Sequence, residues 1–378
     1  MSEWNWTETV AGREVLGVLA TLDPTAAGTI ERCRKLADPE TVRRALALTE
    51  ARRRARGKID DADALLLDRT GVEQSTSTDV ARYKARRFRA LGIDRVVDLC
   101  TGIGGDAIGF ALEGITPVLV DLNPARLESA RHNVAHFLGA DPPIDLADVA
   151  SLPYPDVPFH FDPDRRPQGK RTWRYLDILP GPETFDARIA TGQPGALKLG
   201  PGVDFEDLPA GEYEVIQRGR GLVQVVVWIG PLAEVPRRAT WLDGDTIHSF
   251  SGEPESLPIG APAAFLHIVE PAIERLDLLG TLARTHGLHA AHGHSGFLLG
   301  DQAAESPWLH PMPLLATLPA RIEDVRRWLK EHDGGVVKVR ARGGDDGSAW
   351  EKSLRGKGAA RFTVHLTREG KKRRAWIT

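Results

Sequence analysis

Residues 95–124 read Arg95-Val96-Val97-Asp98-Leu99-Cys100-Thr101-Gly102-Ile103-Gly104-Gly105-Asp106, then residues 107–114, then Pro117-Val118-Leu119-Val120-Asp121-Leu122-Asn123-Pro124. Residues 96–99 are a short apolar run bounded by turn residues, the pattern of a buried parallel strand. Glycines follow at 102, 104 and 105, then a helical stretch over 107–112, then a second buried strand over 118–120 that ends on an acid. This order predicts a βαβ unit with a glycine-rich first turn, and so an α/β fold. The glycines let the backbone turn sharply from strand to helix and let a ligand approach the main chain.

Asp121 lies close to the roughly 20-residue spacing at which an acid hydrogen-bonds a ribose diol. A pyrophosphate favours a helix N-terminus free of negative charge, yet Asp98 and Asp106 flank this loop. An acid there suits a cationic or zwitterionic cofactor better. The arrangement Asp98-x3-Gly102-x-Gly104-Gly105-Asp106, followed by Val120-Asp121, resembles motif I and the second-strand acid of class I S-adenosylmethionine-dependent methyltransferases. An NAD site and a βαβ unit without a nucleotide are the alternatives. The resemblance implies a Rossmann-like sheet with S-adenosylmethionine as cofactor. Asp98 and the loop of Thr101, Gly102, Gly104 and Asp106 would hold its methionine end, Asp121 and the adjoining Leu122 its ribose side, and Asp148 its adenine.

A chain of 378 residues is too long for a typical single core. We expect a helical N-terminal domain over 1–90, a methyltransferase domain over 91–245 and an α+β domain over 262–378. No apolar run approaches the ~20 residues of a membrane span. The start, Met1-Ser2-Glu3-Trp4-Asn5-Trp6, lacks the basic-then-apolar pattern of a secretory signal. A cytoplasmic protein, not attached to a membrane, is expected. Cys33 and Cys100 are the two cysteines, too few for a disulfide framework or an unaided zinc site. A net charge of −3 makes no global case for nucleic acid, so any such case rests on local patches.

Residues 1–90 read as helical. Asp38-Pro39-Glu40-Thr41 is an N-cap with proline at the first helical position. It opens a helix that continues into Arg52-Arg53-Arg54-Ala55-Arg56-Gly57-Lys58, with further helices expected over 61–67 and 80–90. Their dense basic residues suit either an RNA path or a solvated helix face. Beyond the βαβ unit come a helix over 125–138 and a strand over 144–149. A strand over 158–161 leads to Asp162-Pro163, a fifth strand ends at Leu197-Lys198-Leu199-Gly200-Pro201-Gly202, and late strands follow over 213–216, 222–229 and 237–242. Pro and Gly cluster in 252–262, a linker signal. A helix over 271–286, strand and turn over 288–299, a helix over 322–332, a strand over 336–340, a helix over 348–354 and a strand over 361–367 form the last domain. A basic turn over 368–374 closes it.

The loop after a fourth parallel strand faces the cofactor in this type of sheet. In amino-methyltransferases it runs Asp/Asn-Pro-Pro-aromatic; here Asp162 and Pro163 match, and Asp164-Arg165-Arg166 stands in place of the rest. By this resemblance Asp162 orients the acceptor, Pro163 stiffens the turn, and Arg165 and Arg166 hold a phosphate or the target base. Arg165, Arg166, Lys170, Arg171 and Arg174 interleave with Trp173 and Tyr175, a mix suited to phosphates and a stacked base, or else a surface loop with incidental charge.

The whole order, including Tyr83-Lys84-Ala85, Lys198-Leu199-x-Pro201-Gly202 and Pro307-Trp308, resembles bacterial methyltransferases with a THUMP-like C-terminal domain, akin to trimethylguanosine synthase. That implies RNA (tRNA or rRNA) as substrate, with an exocyclic nitrogen such as guanine N2 as acceptor, and a monomer is expected. A small-molecule methyltransferase and an RNA-binding protein with a degenerate catalytic loop are the rivals. His286, His289, His292 and His294 crowd together, but a helix end entering a strand scatters such rings, so no metal is expected. Cys100 lies inside the cofactor loop rather than near Asp162, which favours packing over nucleophilic chemistry.

Overall fold

The computed structural model describes residues 3–164, 172–293, 295–341, 346–369 and 372–378. Arg165, Arg166, Lys170, Arg171, His294, Gly370 and Lys371 lie outside the described residues. The chain divides into two compact units, residues 1–213 with 224–234, and residues 214–223 with 235–378. Among the described residues no helix is long and apolar enough to cross a membrane.

The first unit opens with α1 (Val10–Thr21), α2 (Ala27–Arg34), α3 (Pro39–Ala55), α4 (Arg69–Gln74) and α5 (Thr78–Ala90). The α/β part follows as β1 (Arg95–Leu99), α6 (Gly105–Leu112), β2 (Thr116–Asp121), α7 (Pro124–Leu138), β3 (Ile144–Leu146), β4 (Phe159–Phe161), α8 (Pro182–Ala190) and β5 (Gly195–Leu199). These five strands are parallel, in the order β3-β2-β1-β4-β5. Next come β6 (Glu212–Arg218) and β7 (Gly221–Ile229), and β7 runs antiparallel beside β5. β1, β4 and β5 are buried almost throughout, as parallel strands covered on both faces must be.

Register places the polar residues. Asp98 on β1 pairs with His160 on β4, and His160 with Ala196 on β5. Side chains alternate between faces with period two, so Lys198 shares that face one step nearer the strands' carboxyl end. α6 lies so close to α5 that a Cβ on Gly109 would sit 2.4 Å from the carbonyl carbon of Ala81. Arg87 on α5 reaches the buried Glu212 through two bonds of 2.7 and 2.9 Å, and its guanidinium lies 4.2 Å from the Trp228 ring centre.

The helices of residues 1–74 share one apolar core with α6 and α7, joining Val15, Leu48 and Leu67 to Ile108, Leu127 and Val134. The helix expected over 61–67 is instead a single 3-10 turn, Ala62–Ala64. Asp61 takes φ +48° there. Asn133 then replaces a helical partner for Leu66, accepting from its N–H at 2.7 Å and donating to its carbonyl at 3.0 Å.

The second unit carries β8 (Arg237–Asp243) and β9 (Thr246–Gly252), an antiparallel hairpin. β10 (Phe265–Val269), α9 (Pro271–Arg275), α10 (Leu279–Thr285), β11 (Phe297–Gly300) and β12 (Leu309–Pro313) follow, the strands in the order β11-β10-β12. The single helix expected over 271–286 is broken between α9 and α10, where Asp277 adopts φ +55°. Last come β13 (Ala316–Pro319), α11 (Ile322–Glu331), β14 (Gly334–Ala341), α12 (Gly347–Leu354), β15 (Ala360–Glu369) and β16 (Lys372–Ile377), a sheet ordered β13-β16-β15-β14. Val325 and Leu329 of α11 pack on Val337, Val364, Leu366 and Ile377.

The contact between α5 and α6 leaves no room for a methyl group. Gly109→Ala is expected to destabilise the protein by about 1–3 kcal/mol through overpacking. Gly17→Ala, an exposed position of α1 where a Cβ meets nothing within 4 Å, should instead be neutral or slightly stabilising. Urea denaturation of both variants checks the pair, and equal effects would refute the tight approach.

Candidate active site

The chain leaves β1 through Cys100 (φ +61°), Gly102 (φ +59°) and Gly104 (φ +87°). Glycine adopts such angles freely, whereas Cys100 is held there at a cost. A Cβ on Gly104 would lie 3.2 Å from the Ala130 Cα, so α7 closes that side of the loop. A Cβ on Gly102 would meet nothing within 4 Å, so its main chain borders open space. Asp121, at the end of β2, fastens the loop: one carboxylate oxygen accepts from the Gly102 N–H at 2.9 Å and the other from the Asn123 N–H at 2.9 Å. Burial pushes this carboxyl up from its ordinary value, with the two amide bonds working against it. Leu122, next in the chain, is 65% exposed, an apolar side chain without apolar cover. Asp148, past β3, is exposed and caps its own turn, accepting from the Ala150 N–H at 2.9 Å.

Behind the loop lies a buried chain of charged groups. Asp98 accepts from the Thr101 hydroxyl at 2.6 Å and faces His160 Nδ1 at 2.7 Å. His160 Nε2 stands 3.1 Å from Lys84 Nζ. An ammonium has donors only, so Nε2 accepts and Nδ1 carries the proton given to Asp98. Lys84 lies 2.6 Å from Asp106 Oδ1. Asp106 Oδ2 takes Lys198 at 3.0 Å and the Thr76 hydroxyl at 2.8 Å. Lys198 then reaches Asp162 Oδ2 at 2.5 Å. Burial opposes the charge on Asp106, but Lys198 and Lys84 together hold its carboxyl well below the ordinary range. Burial likewise pulls on Lys198, and Asp106 with Asp162 overcomes it, raising the ammonium above its usual value. For Lys84 burial prevails, lowering it.

Of the residues expected to form the site, Asp98, Thr101, Asp106 and Asp162 are gathered by this chain. Gly102 and Asp121 meet in the loop. Asp98 and Asp106 have their carboxylates engaged inward, whereas Asp121, Leu122, Asp148 and Asp162 retain exposure. Pro163 is buried beside Asp162, whose N–H donates to the Leu99 carbonyl at 3.1 Å. Arg165 and Arg166 lie outside the described residues. Lys84, His160, Lys198 and Thr76 escaped the sequence reading. A lysine inside Gly195–Leu199 and a histidine inside Phe159–Phe161 were the available signals, because charged groups in doubly covered strands need partners.

The open main chain at Gly102, the partly exposed acid at Asp121 and the bare apolar Leu122 fit a ligand with a cationic, hydroxylated and apolar part. Among the described residues, the charged groups acting on the Cys100 thiol are carboxylates. Burial pushes its thiol well above the ordinary value, and Asp121, Asp162, Asp98 and Asp164 push it further. A thiol so raised stays protonated near neutrality and reacts slowly. Iodoacetamide at pH 8 is expected to leave Cys100 unmodified while a free-cysteine control reacts, as mass spectrometry will read. Labelling at the control's rate would reveal a thiolate.

No family model matches the chain. Two sequences from Mycobacterium tuberculosis, strains CDC 1551 / Oshkosh and H37Rv, are each named as an uncharacterized S-adenosylmethionine-dependent methyltransferase. Each is 31% identical over 339 residues, spanning 85% of this chain and 91% of the relative. A crystal structure from Porphyromonas gingivalis W83, described as a methyltransferase, superposes with a TM-score of 0.78 at 18% identity, covering all of this chain and 98% of the other. The fold is thus shared along the full length, and the sequence similarity extends through most of it. The chain belongs to the S-adenosylmethionine-dependent methyltransferases, with S-adenosylmethionine as its cofactor.

Proposed function

We propose that this enzyme methylates RNA, at an exocyclic base nitrogen such as guanine N2, and that Asp162 orients the acceptor. One observation carries the acceptor assignment. Asp162 ends the chain of buried charges, is 26% exposed, and has one oxygen held by Lys198 while the other accepts no bond among the described residues. A carboxylate fixed through one oxygen and open at the other is suited to hold an N–H donor in a set direction.

S-adenosylmethionine supplies a methyl group already activated on a sulfonium, so the protein's task is alignment. Asp162 accepts a hydrogen bond from the acceptor N–H and turns the nitrogen toward the methyl. Pro163, with its fixed φ, limits the loop's freedom. The Gly102 main chain and the loop of Thr101, Gly104 and Asp106 would hold the methionine end, with Asp98 supporting the loop through the Thr101 hydroxyl. Asp121 would accept from the ribose with Leu122 beside it, and Asp148 would take the adenine amino group.

The RNA assignment rests on the acceptor side and on the second unit. The Trp173 ring lies over Gly202, where a Cβ would come within 2.6 Å of it, and is 49% exposed, available to stack on a base. Lys338 and Arg340 stand exposed on β14, and Arg361 on β15, alternating with side chains of the α11 core. Such a row suits phosphates. On the acceptor side, the resemblance gives Arg165 and Arg166 the phosphate or the target base. On this reading residues 1–90 form a helical domain, 91–245 the methyltransferase domain and 262–378 a THUMP-like domain, related to trimethylguanosine synthase and acting as a cytoplasmic monomer.

Methyl transfer from labelled S-adenosylmethionine into total RNA from bacteria lacking the gene tests this. Label is expected in one RNA size class, reduced by roughly 10²-fold or more in Asp162→Ala, as displaced alignment costs. Trp173→Ala should weaken RNA binding by about 1–3 kcal/mol. Absence of label from every RNA, with cofactor still bound, would overturn the RNA assignment.

A further inference from the structure

We infer that Lys198 is a positioning residue for Asp162, and that Lys84 on α5 enforces this position by occupying the other oxygen of Asp106. The inference rests on the assignment of Asp162 as the acceptor-orienting group. It adds two residues and a helix remote from the acceptor loop to the catalytic machinery.

A buried ammonium needs compensation by carboxylate, and a single carboxylate offers two oxygens. Lys84 stands 2.6 Å from Oδ1 of Asp106, and Oδ2 is shared by the Thr76 hydroxyl at 2.8 Å and Lys198 at 3.0 Å, so two ammonium groups divide one negative charge. Lys198 itself is almost wholly buried, and its shortest contact is therefore outward, to Asp162 at 2.5 Å. Were Lys84 absent, Lys198 would no longer share the charge of Asp106 with a second ammonium and would be drawn toward it and away from Asp162. Lys84 is in turn pinned from its other side by His160 at 3.1 Å, which Asp98 orients at 2.7 Å. The chain thus runs from the acid of the cofactor loop to the acid of the acceptor loop. Its members come from α5, β1, α6, β4 and β5.

Each lysine can be removed without orphaning Asp106. Lys198→Met leaves the Lys84–Asp106 pair, and Lys84→Met leaves the Lys198–Asp106 pair, so both variants are expected to fold and to bind S-adenosylmethionine with unchanged Kd. Two readouts follow. The first needs no acceptor: in protein labelled with 13C at aspartate Cγ, the Asp162 signal, identified by its loss in Asp162→Asn, should move in Lys198→Met and also in Lys84→Met, although Lys84 does not touch it. The second is kcat on the labelled RNA. It should fall about 10²-fold in Lys198→Met, recover in part in Lys198→Arg, and fall no further when Lys198→Met is added to Asp162→Asn.

An Asp162 signal that stays in place in both folded lysine variants overturns the inference, as does full additivity of the Lys198 and Asp162 substitutions. A wild-type enzyme that labels no RNA while the Asp162 signal still moves would defeat the RNA assignment and leave the positioning intact.

Discussion

One carboxylate shared by two buried ammonium groups governs this structure. Asp106, Lys84 and Lys198 are each almost fully removed from water. Taking such ions out of solvent costs several kcal/mol apiece, and apolar residues of equal volume would often be neutral or better for stability. The arrangement is therefore poorly explained as a stability device. It specifies geometry: Asp106 on α6 meets Lys84 of α5 and Lys198 of β5 at once, which ties these three elements to one mutual placement. Gly109, which lets α6 close onto α5 at backbone distance, makes that placement physically reachable.

The same reasoning accounts for the direction in which each group is displaced. Asp106 and Lys198 are held charged by opposite charges on more than one side, while Lys84 receives less help than its burial demands. Lys84 is thus the strained member, stabilised by the histidine that Asp98 aligns. A depressed carboxyl such as Asp106 lends stability above the ordinary carboxylate range that is lost only as pH falls through its lowered value.

The βαβ unit was legible because each of its signals is local: an apolar run, positive-φ glycines, a second run closing on Asp121. The sheet order follows from the same logic once the strands are found. What resisted reading were features set by distant partners. Residues 61–67 have helical composition, yet Asn133, 67 positions from Leu66, supplies the hydrogen bonds that a helix would have made. The break at Asp277 likewise has no marker such as Pro or Gly in the chain there. The charged chain was half visible. Asp98, Asp106 and Asp162 stand out in sequence as acids beside a cofactor loop, and the notion that they serve a ligand directly is natural. Their cationic partners sit inside apolar strands and a basic helix, where Lys84 is indistinguishable from its solvated neighbours Arg82 and Arg86.

That last point changes what the N-terminal helices are for. Basic residues on a helix invite comparison with nucleic-acid binding, yet Arg82 and Arg86 both pair with Glu113, and Arg87 is committed to Glu212. Lys84 faces the opposite way, into the sheet. With Arg82, Lys84, Arg86 and Arg87 spent on neighbouring elements, α5 is a structural member of the α/β unit. The helices of residues 1–74 also share their apolar core with α6 and α7, so the glycine loop after β1 is braced from the same side. Alignment is the main demand of methyl transfer from an activated sulfonium. A rigid scaffold reaching back to α5 suits that demand by anchoring the Asp162 carboxylate through Lys198.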